Sequence, residues 1–135
     1  MRVVIDTNLL ISATFKQTTP PALVLAAWRM RRFEWVSCDD QITELTVSLR
    51  KPKVAQRVAG GPALVESLLT QLRTDCTIET LTAPYSPVCR DIKDDFLFAL
   101  RDQHGVDLII SGDADVLALK GRYPVLTARE LIDRL

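Results

Sequence analysis

The chain has 135 residues, of which 47% are apolar and 25% are charged, a composition typical of a globular protein. Its 17 basic and 17 acidic side chains cancel, which excludes a strongly basic coat protein that binds nucleic acid through many phosphate contacts. No apolar stretch approaches the ~20 residues of a membrane span, and the N-terminal MRVVIDTN is not a signal peptide. Three cysteines, an odd number with no CxxC spacing, favour a reducing compartment, so we expect a cytoplasmic protein.

The first predicted element is a strand. Val3–Ile5 is a short β-branched run, which is typical of a strand buried on both faces of a parallel sheet. The turn signal Asp6–Asn8 ends this run, and a short helical segment is predicted over Leu9–Ala13.

A longer helix is predicted to start at Thr19, whose hydroxyl can cap it, followed by Pro20 in the first turn. We expect it to end near Arg31 or Arg32. Its apolar residues recur at spacings of three and four: Leu23, Ala26, Ala27 and Met30. Phe33–Ser37 is the predicted second strand.

Two more helices are predicted in the middle of the chain. The first is capped by Asp39 or Asp40 and ended by Pro52, and its inner residues are Ile42, Leu45 and Leu49. The second follows the break at Gly60–Pro62 and covers about Ala63–Arg73. Its predicted inner residues are Leu64, Leu68, Leu69 and Leu72.

The second half of the chain continues the alternation. A third strand is predicted over Cys76–Leu81, followed by a proline-containing loop and a helix from about Asp91 to Gly105. The remaining predicted elements are a strand (Asp107–Ile110), a helix (Asp113–Leu119), a strand (Pro124–Leu126) and a terminal helix opened by the capping box Thr127–Glu130. The alternation predicts one α/β domain over residues 1–135, a Rossmann-like three-layer α/β/α sandwich around a mainly parallel sheet.

Acidic residues fall where such a sheet would gather them. Asp6 ends the first predicted strand and Asp113 follows the fourth, and the carboxyl ends of parallel strands form the rim where sites occur. Asp91, Asp94 and Asp95 share one face if their segment is helical. Glu44 lies beside core candidates in the helix after the second strand. Each acid taken alone could instead be a helix cap or a solvated side chain.

Carboxylates gathered in one cleft repel each other and raise each other's pKa, and a divalent cation relieves that repulsion. Mg²⁺ prefers oxygen ligands, and Mn²⁺ accepts the same set. No competing chemistry is apparent, because His104 is the only histidine and no nucleophile or phosphate-loop motif is present. His104 itself is expected to end a helix before Gly105.

Three blocks of the sequence together resemble the PIN-domain family, in particular the PIN-type toxins of toxin–antitoxin systems. They are VVIDTNLLISA, SCDDQITELTVSLRKPKV and RDIKDDFLFALRDQHGVDLIISGDADVLAL, and the first and last are the more specific. The helix before Gly105 departs from the family's trend toward small residues, with Arg101, Asp102, Gln103 and His104.

The resemblance implies roles for particular residues. Asp6, Glu44, Asp95 or Asp94, and Asp113 match the family's acids, and Asp115 matches a further acid near the site. Of these, Asp6, Asp95, Asp113 and Asp115 are the implied metal ligands. Thr7, Asn8 and Ser111 match its polar supports. The implied activity is Mg²⁺- or Mn²⁺-dependent cleavage of RNA phosphodiester bonds.

Other residues have two interpretations. The basic groups Arg29, Arg31, Arg32 and Arg50, Lys51, Lys53, Arg57 are either RNA-backbone contacts or solvated helix ends. Trp28 and Trp35 are expected in a core or dimer interface more often than stacked on bases. Cys38, Cys76 and Cys89 are expected to be buried thiols, because their number is odd and no spacing suggests zinc.

The resemblance favours a toxin-type endoribonuclease that is restrained by an antitoxin protein and forms a homodimer. Two alternatives remain open. One is a housekeeping RNA-processing or DNA-flap nuclease. The other is a catalytically idle PIN-like module that binds RNA or protein.

Overall fold

In a computed structural model that describes Met1–Leu135, five strands and eight α-helices alternate along the chain. The strands are β1 (Arg2–Ile5), β2 (Glu34–Ser37), β3 (Thr77–Ile78), β4 (Leu108–Ile110) and β5 (Val125–Leu126). The helices are α1 (Thr7–Ala13), α2 (Pro20–Arg29), α3 (Asp39–Arg50), α4 (Pro52–Ala55), α5 (Pro62–Asp75), α6 (Asp95–His104), α7 (Ala114–Leu117) and α8 (Ala128–Arg134). A short 3₁₀ helix, Ile92–Asp94, immediately precedes α6.

The strands form one parallel sheet in the order β3-β2-β1-β4-β5, so β1 lies at its centre. Ile5, the last residue of β1, is level with Ile110, the last residue of β4. The carboxyl ends of these two strands therefore meet in the middle of one rim.

Alternate residues of β1 pack on opposite faces of the sheet. Val3 and Ile5 belong to a larger core formed with α1, α2, α3, α5 and α8, whereas Val4 belongs to a smaller core formed with α6 and α7. Both faces are covered by helices, which confirms the three-layer α/β/α prediction. Val3 and Val4 are fully buried, and each such side chain contributes roughly 1.5–3 kcal/mol of hydrophobic stabilisation.

Helix α2 begins as predicted but buries a different face. The Thr19 hydroxyl accepts a hydrogen bond from the backbone of Ala22, which confirms the cap. The predicted stripe is wrong, because Leu23 and Met30 are exposed and the helix ends at Arg29. Its buried residues are Ala22, Val24, Leu25, Ala27 and Trp28.

Several element ends also differ from the predictions. Cys38 is the N-cap of α3, so Asp39 and Asp40 do not cap it but occupy its first turn, where acids favour the helix dipole. Helix α4 was not predicted, and β3 has only two residues. Leu64 is exposed on α5, whose buried residues are Val65, Leu68, Leu69 and Leu72.

Other predictions are confirmed. Trp28 and Trp35 are buried and pack edge to face with ring centroids 5.0 Å apart, so neither ring is accessible to a base. Cys38, Cys76 and Cys89 are buried and free. His104 ends α6, and Gly105 follows in the left-handed region at φ 66°. None of the helices has both the length and the apolar character needed to cross a membrane.

Candidate active site

Asp6 lies at the junction of β1 and α1 and is almost completely buried. It is the N-cap of α1, and its Oδ1 accepts a hydrogen bond from the backbone of Asn8 at 3.3 Å. Burial raises the pKa of Asp6, hydrogen bonds from Ser111 and Asn8 lower it, and the neighbouring Asp113 raises it. The carboxylate is therefore held in a fixed orientation at a position that disfavours its charge.

Ser111 joins Asp6 to the end of β4. Its buried hydroxyl donates to Asp6 Oδ2 at 2.7 Å and accepts from the backbone N–H of Asp113 at 3.0 Å. This contact is possible because β1 and β4 are neighbours that end at the same level. The predicted meeting of Asp6 and Asp113 at one rim is confirmed.

Asp113 is the N-cap of α7 rather than a residue inside it. Its Oδ1 accepts from the backbone of Asp115 at 2.7 Å and of Val116 at 3.4 Å. The half-buried Asp115 lies in the first turn of α7 and contacts Asp113 through its backbone N–H. Asp113 thus combines the cap role and a place beside Asp6, the two interpretations that the sequence left open.

Asp94, at the end of the 3₁₀ helix, lies close enough to several other acids to be affected by their charges. Its pKa is raised from 3.8 to about 7, first by burial and then by the charges of Asp6, Asp113, Asp91 and Glu44. The carboxylates of Asp6, Glu44, Asp94 and Asp113 therefore lie within electrostatic reach of one another.

The adjacent Asp95 binds the protein backbone instead of joining these acids. It is buried, and its Oδ1 accepts from the backbone N–H groups of Val88 at 3.0 Å and Cys89 at 2.7 Å. These bonds tie the loop before the 3₁₀ helix to the start of α6. We therefore move the third-acid and metal-ligand assignments from Asp95 to Asp94.

Glu44 is exposed on α3 and approaches the cluster through Thr7, whose hydroxyl lies 3.5 Å from Glu44 Oε2. Asn8 is also exposed and serves Asp6 through its backbone N–H rather than its side chain. The predicted supports Thr7, Asn8 and Ser111 thus all lie at the site, although they act through different groups.

Sequence reasoning missed Gln41, which is buried one turn before Glu44 on α3. Its Oε1 accepts from Ser37 Oγ at 2.6 Å, and its Nε2 donates to Ile5 O at 2.5 Å and Thr7 Oγ1 at 3.4 Å. This bridge connects the ends of β1 and β2 and holds Thr7. The sequence signal that could have identified Gln41 is its position next to Ile42, which was predicted to face the core.

The donor set fits a hard divalent cation. As the side chains stand, no three His, Cys, Asp or Glu residues form a ready-made metal cage. Mg²⁺ does not require one, because proteins usually hold it with one or two carboxylates plus water and substrate phosphate. Burial first and then the charges of neighbouring acids raise the pKa of Asp94, and a cation among these acids would offset that repulsion.

A cleft of about 420 Å³ opens beside Asp6 and Asp113. Asn8, Ser111 and Gly112 line its acidic end, and further walls come from α1, the start of α2 and the start of α8. The residues of those walls are Leu9, Ser12, Pro20, Pro21, Thr127, Ala128 and Arg129.

The two basic groups predicted for RNA binding lie away from this cleft. Arg29, Arg31 and Arg32 precede β2, at the amino edge of the sheet, and Arg29 donates to Gln71 at 3.0 Å. The second group follows the far end of α3, a 12-residue helix that leaves the carboxyl rim and is roughly 18 Å long. There Arg50 pairs with Glu66 at 2.8 Å. The structure therefore does not bring Arg29, Arg31, Arg32, Arg50, Lys51 or Lys53 to the acids.

Comparison with models of known protein families matches residues 2–115 to the family described as PIN domain. The matched stretch includes Asp6, Glu44, Asp94 and Asp113, and it ends before β5 and α8. No curated protein and no solved structure matches the chain.

Proposed function

The chain belongs to the PIN-domain family, whose members are typically nucleases, and from that premise we propose that it is an Mg²⁺- or Mn²⁺-dependent endoribonuclease. The observation that carries the proposal is the hydrogen-bonded unit Asp6–Ser111–Asp113, with Asp94 facing it at a pKa of about 7. Such a concentration of acids at the rim of a parallel sheet is costly to fold and is typical of a functional site.

Asp6, Asp94 and Asp113 are the residues that would hold the cation, with Asp115 next to Asp113 and with Glu44 as a further acid of the cluster. When bound, a divalent ion polarises a phosphoryl oxygen and lowers the pKa of water, so that a phosphodiester can be hydrolysed near neutral pH.

The chain's own groups supply orientation. Both oxygens of Asp6 accept hydrogen bonds, one from Asn8 N and one from Ser111 Oγ, so this carboxylate has little freedom to rotate. Gln41 fixes Thr7, which in turn approaches Glu44. The walls of the cleft give a polynucleotide a place to lie against Asp6 and Asp113, the two acids that line it.

We further propose that the protein is the toxin of a toxin–antitoxin pair, that it works as a homodimer, and that an antitoxin segment covers the acidic cleft. The resemblance of its three sequence blocks to PIN-type toxins supports this role. Induced expression should then stop growth unless the antitoxin is expressed with it.

The decisive experiment titrates Mg²⁺ and Mn²⁺ with end-labelled single-stranded RNA, single-stranded DNA and a DNA flap. Asp6→Asn should reduce RNA cleavage by at least about 100-fold, because loss of a ligand removes several kcal/mol of transition-state stabilisation. Asp133→Asn is the matched control, since Asp133 is an exposed carboxylate on α8 outside the cluster.

Cleavage of the flap but not of RNA would replace this proposal with a DNA-flap nuclease. Growth inhibition that persists in Asp6→Asn would refute the toxin role, and RNA cleavage without growth inhibition would favour a housekeeping enzyme. The absence of both cleavage and Mn²⁺ binding in calorimetry would leave a catalytically idle module.

A further inference from the structure

One cation lies on the wall of the acidic cleft. Arg129, in the first turn of α8, lines the same cleft of about 420 Å³ as Asp6 and Asp113. It is exposed, and it is the only Lys or Arg among the residues that line this cleft. It also lies beyond residues 2–115, the stretch matched to the family.

Arg129 has no partner within the chain, although it shares a cleft with two carboxylates. No ion pair, side-chain hydrogen bond or aromatic contact involves its guanidinium. Other cations are engaged: Arg2 with Glu79, Arg50 with Glu66, and Lys120 with Glu130. The guanidinium of Arg129 is therefore available to an external anion.

The position of Arg129 in its helix gives no structural reason for a positive charge. Thr127 is the N-cap of α8 and Glu130 completes the capping box, so Arg129 lies in the first turn. The helix dipole disfavours a cation there and favours an acid. In contrast, Arg134 at the other end of α8 has the charge that the dipole favours. A cation in the less favourable turn, on the wall of a cleft, indicates an external partner.

We propose that Arg129 binds a backbone phosphate of a single-stranded RNA substrate, beside the phosphate that lies at Asp6 and Asp113. This inference rests on the proposed nuclease function and assigns the substrate side of the same site. Acids repel a polynucleotide, and a cation that lines the same cleft offsets that repulsion where no metal ion is held. A guanidinium suits the role because its parallel N–H groups match two phosphate oxygens.

The contact proposed for Arg129 is to the RNA backbone, not to a base. Pro20 and Pro21 form a rigid surface at the start of α2, and they present no side-chain donor for a base edge. Contacts to phosphate position a nucleic acid without reading its sequence. Loss of Arg129 should therefore weaken the binding of all single-stranded RNA sequences to a similar extent.

The test compares Arg129→Gln with Arg134→Gln, since both arginines are exposed on α8 and only Arg129 lines the cleft. Binding of a fluorescently labelled single-stranded RNA is measured by anisotropy in the Asp6→Asn background, so that the RNA stays uncut. Arg129→Gln should weaken binding about tenfold, as expected for a lost charge-assisted hydrogen bond. It should also reduce the slope of log K against log salt by about 0.7, the value for one phosphate contact on a single strand.

Cleavage by the chain with Asp6 intact provides the second readout. Arg129→Gln should raise KM about tenfold with kcat nearly unchanged, because the contact is made equally in the ground and transition states. Thermal unfolding checks that both variants fold.

Equal RNA binding and equal salt slopes for Arg129→Gln and Arg134→Gln would overturn the assignment of Arg129 even if the chain cleaves RNA. If the chain fails to cleave RNA, the proposed activity falls, while the anisotropy measurement still decides whether Arg129 contacts phosphate.

Discussion

Replacing Asp94 with Asn should make the metal-free protein more stable at pH 8 while removing its nuclease activity. The half-buried carboxyl of Asp94 has a pKa of about 7, raised by burial and by the charges of Asp6, Asp113, Asp91 and Glu44. The Asp94 side chain makes no capping hydrogen bond that would be lost, and the amide has nearly the same shape without the charge. The substitution therefore removes repulsion and leaves the packing intact.

The sign follows from proton linkage. In the folded chain the pKa of Asp94 is about 7, whereas the ordinary value in the unfolded chain is 3.8. Between these pH values the folded state binds more protons, so the free energy of unfolding falls as pH rises through this window and levels off above about 7. The stability that protonated Asp94 contributes is fully present below its pKa in the unfolded chain. It is lost as pH rises through its pKa in the folded chain.

The size of the stability gain depends on how far the pKa of Asp94 is raised and on how exposed its side chain is to solvent. A shift from 3.8 to about 7 would correspond to about 4 kcal/mol at 1.36 kcal/mol per unit if the group were fully shielded. Because Asp94 is only half-buried, solvent screening reduces the expected gain for Asp94→Asn to about 1–2 kcal/mol at pH 8. For a domain of this size that gain raises Tm by roughly 3–8 °C.

The assay is urea or thermal unfolding with a chelator present, over the range from about pH 4 to pH 8. The unfolding midpoints of Asp94→Asn and of the original chain should be similar at the lowest pH of this range. They should diverge as pH rises. Added Mg²⁺ or Mn²⁺ should stabilise the original chain more than the variant, because binding to the folded state adds to its stability. A variant that is less stable at pH 8, or a difference that does not change with pH, would refute the reasoning.

The other predictions concern the groups around the acids. Asp95→Ala should lower the free energy of unfolding by about 1–3 kcal/mol, because the N–H groups of Val88 and Cys89 lose their acceptor, while kcat of the folded fraction is largely kept. Loss of cation binding in calorimetry with unchanged stability would instead make Asp95 a ligand. Ser111→Ala should reduce cleavage about 10- to 100-fold and move the acidic limb of the pH–rate profile to higher pH, since the Ser111 hydrogen bond lowers the pKa of Asp6. An unchanged profile would show that Ser111 does not orient Asp6. Thr127→Ala should cost about 1 kcal/mol in urea unfolding by breaking the capping box of α8, and Thr127→Ser should recover it. Equal midpoints for these two variants would contradict the cap assignment.

Much of the fold could be predicted because short-range chemistry determines it. Runs of β-branched residues such as Val3–Ile5 favour buried strands, and capping residues such as Thr19 and Thr127 mark helix starts. Alternation of these elements requires a parallel sheet with helices on both faces. In such a sheet residues that follow different strands meet at one rim, so Asp6 and Asp113 could be paired from the sequence alone.

Which face a helix buries could not be predicted as well. Two adjacent faces of one helix can have nearly the same spacing of apolar residues. Which of the two faces is buried depends on the elements that the helix packs against. In α2, the helices on the larger core face select Val24, Leu25 and Trp28 and leave Leu23 and Met30 in solvent. The basic groups were misplaced for a related reason, because the end of α3 lies far in space from its start.

The layers of this protein, the order of its elements and the proximity of Asp6 to Asp113 follow from local residue patterns. The choice between Asp94 and Asp95 depends on long-range packing, because consecutive residues at a helix start point in directions about 100° apart and the packing of α6 selects one. The tertiary structure turned Asp95 toward the backbone of Val88 and Cys89 and left Asp94 facing the other acids. It also brought Arg129 from the last helix to the cleft, because contacts between distant segments depend on the path of the whole chain.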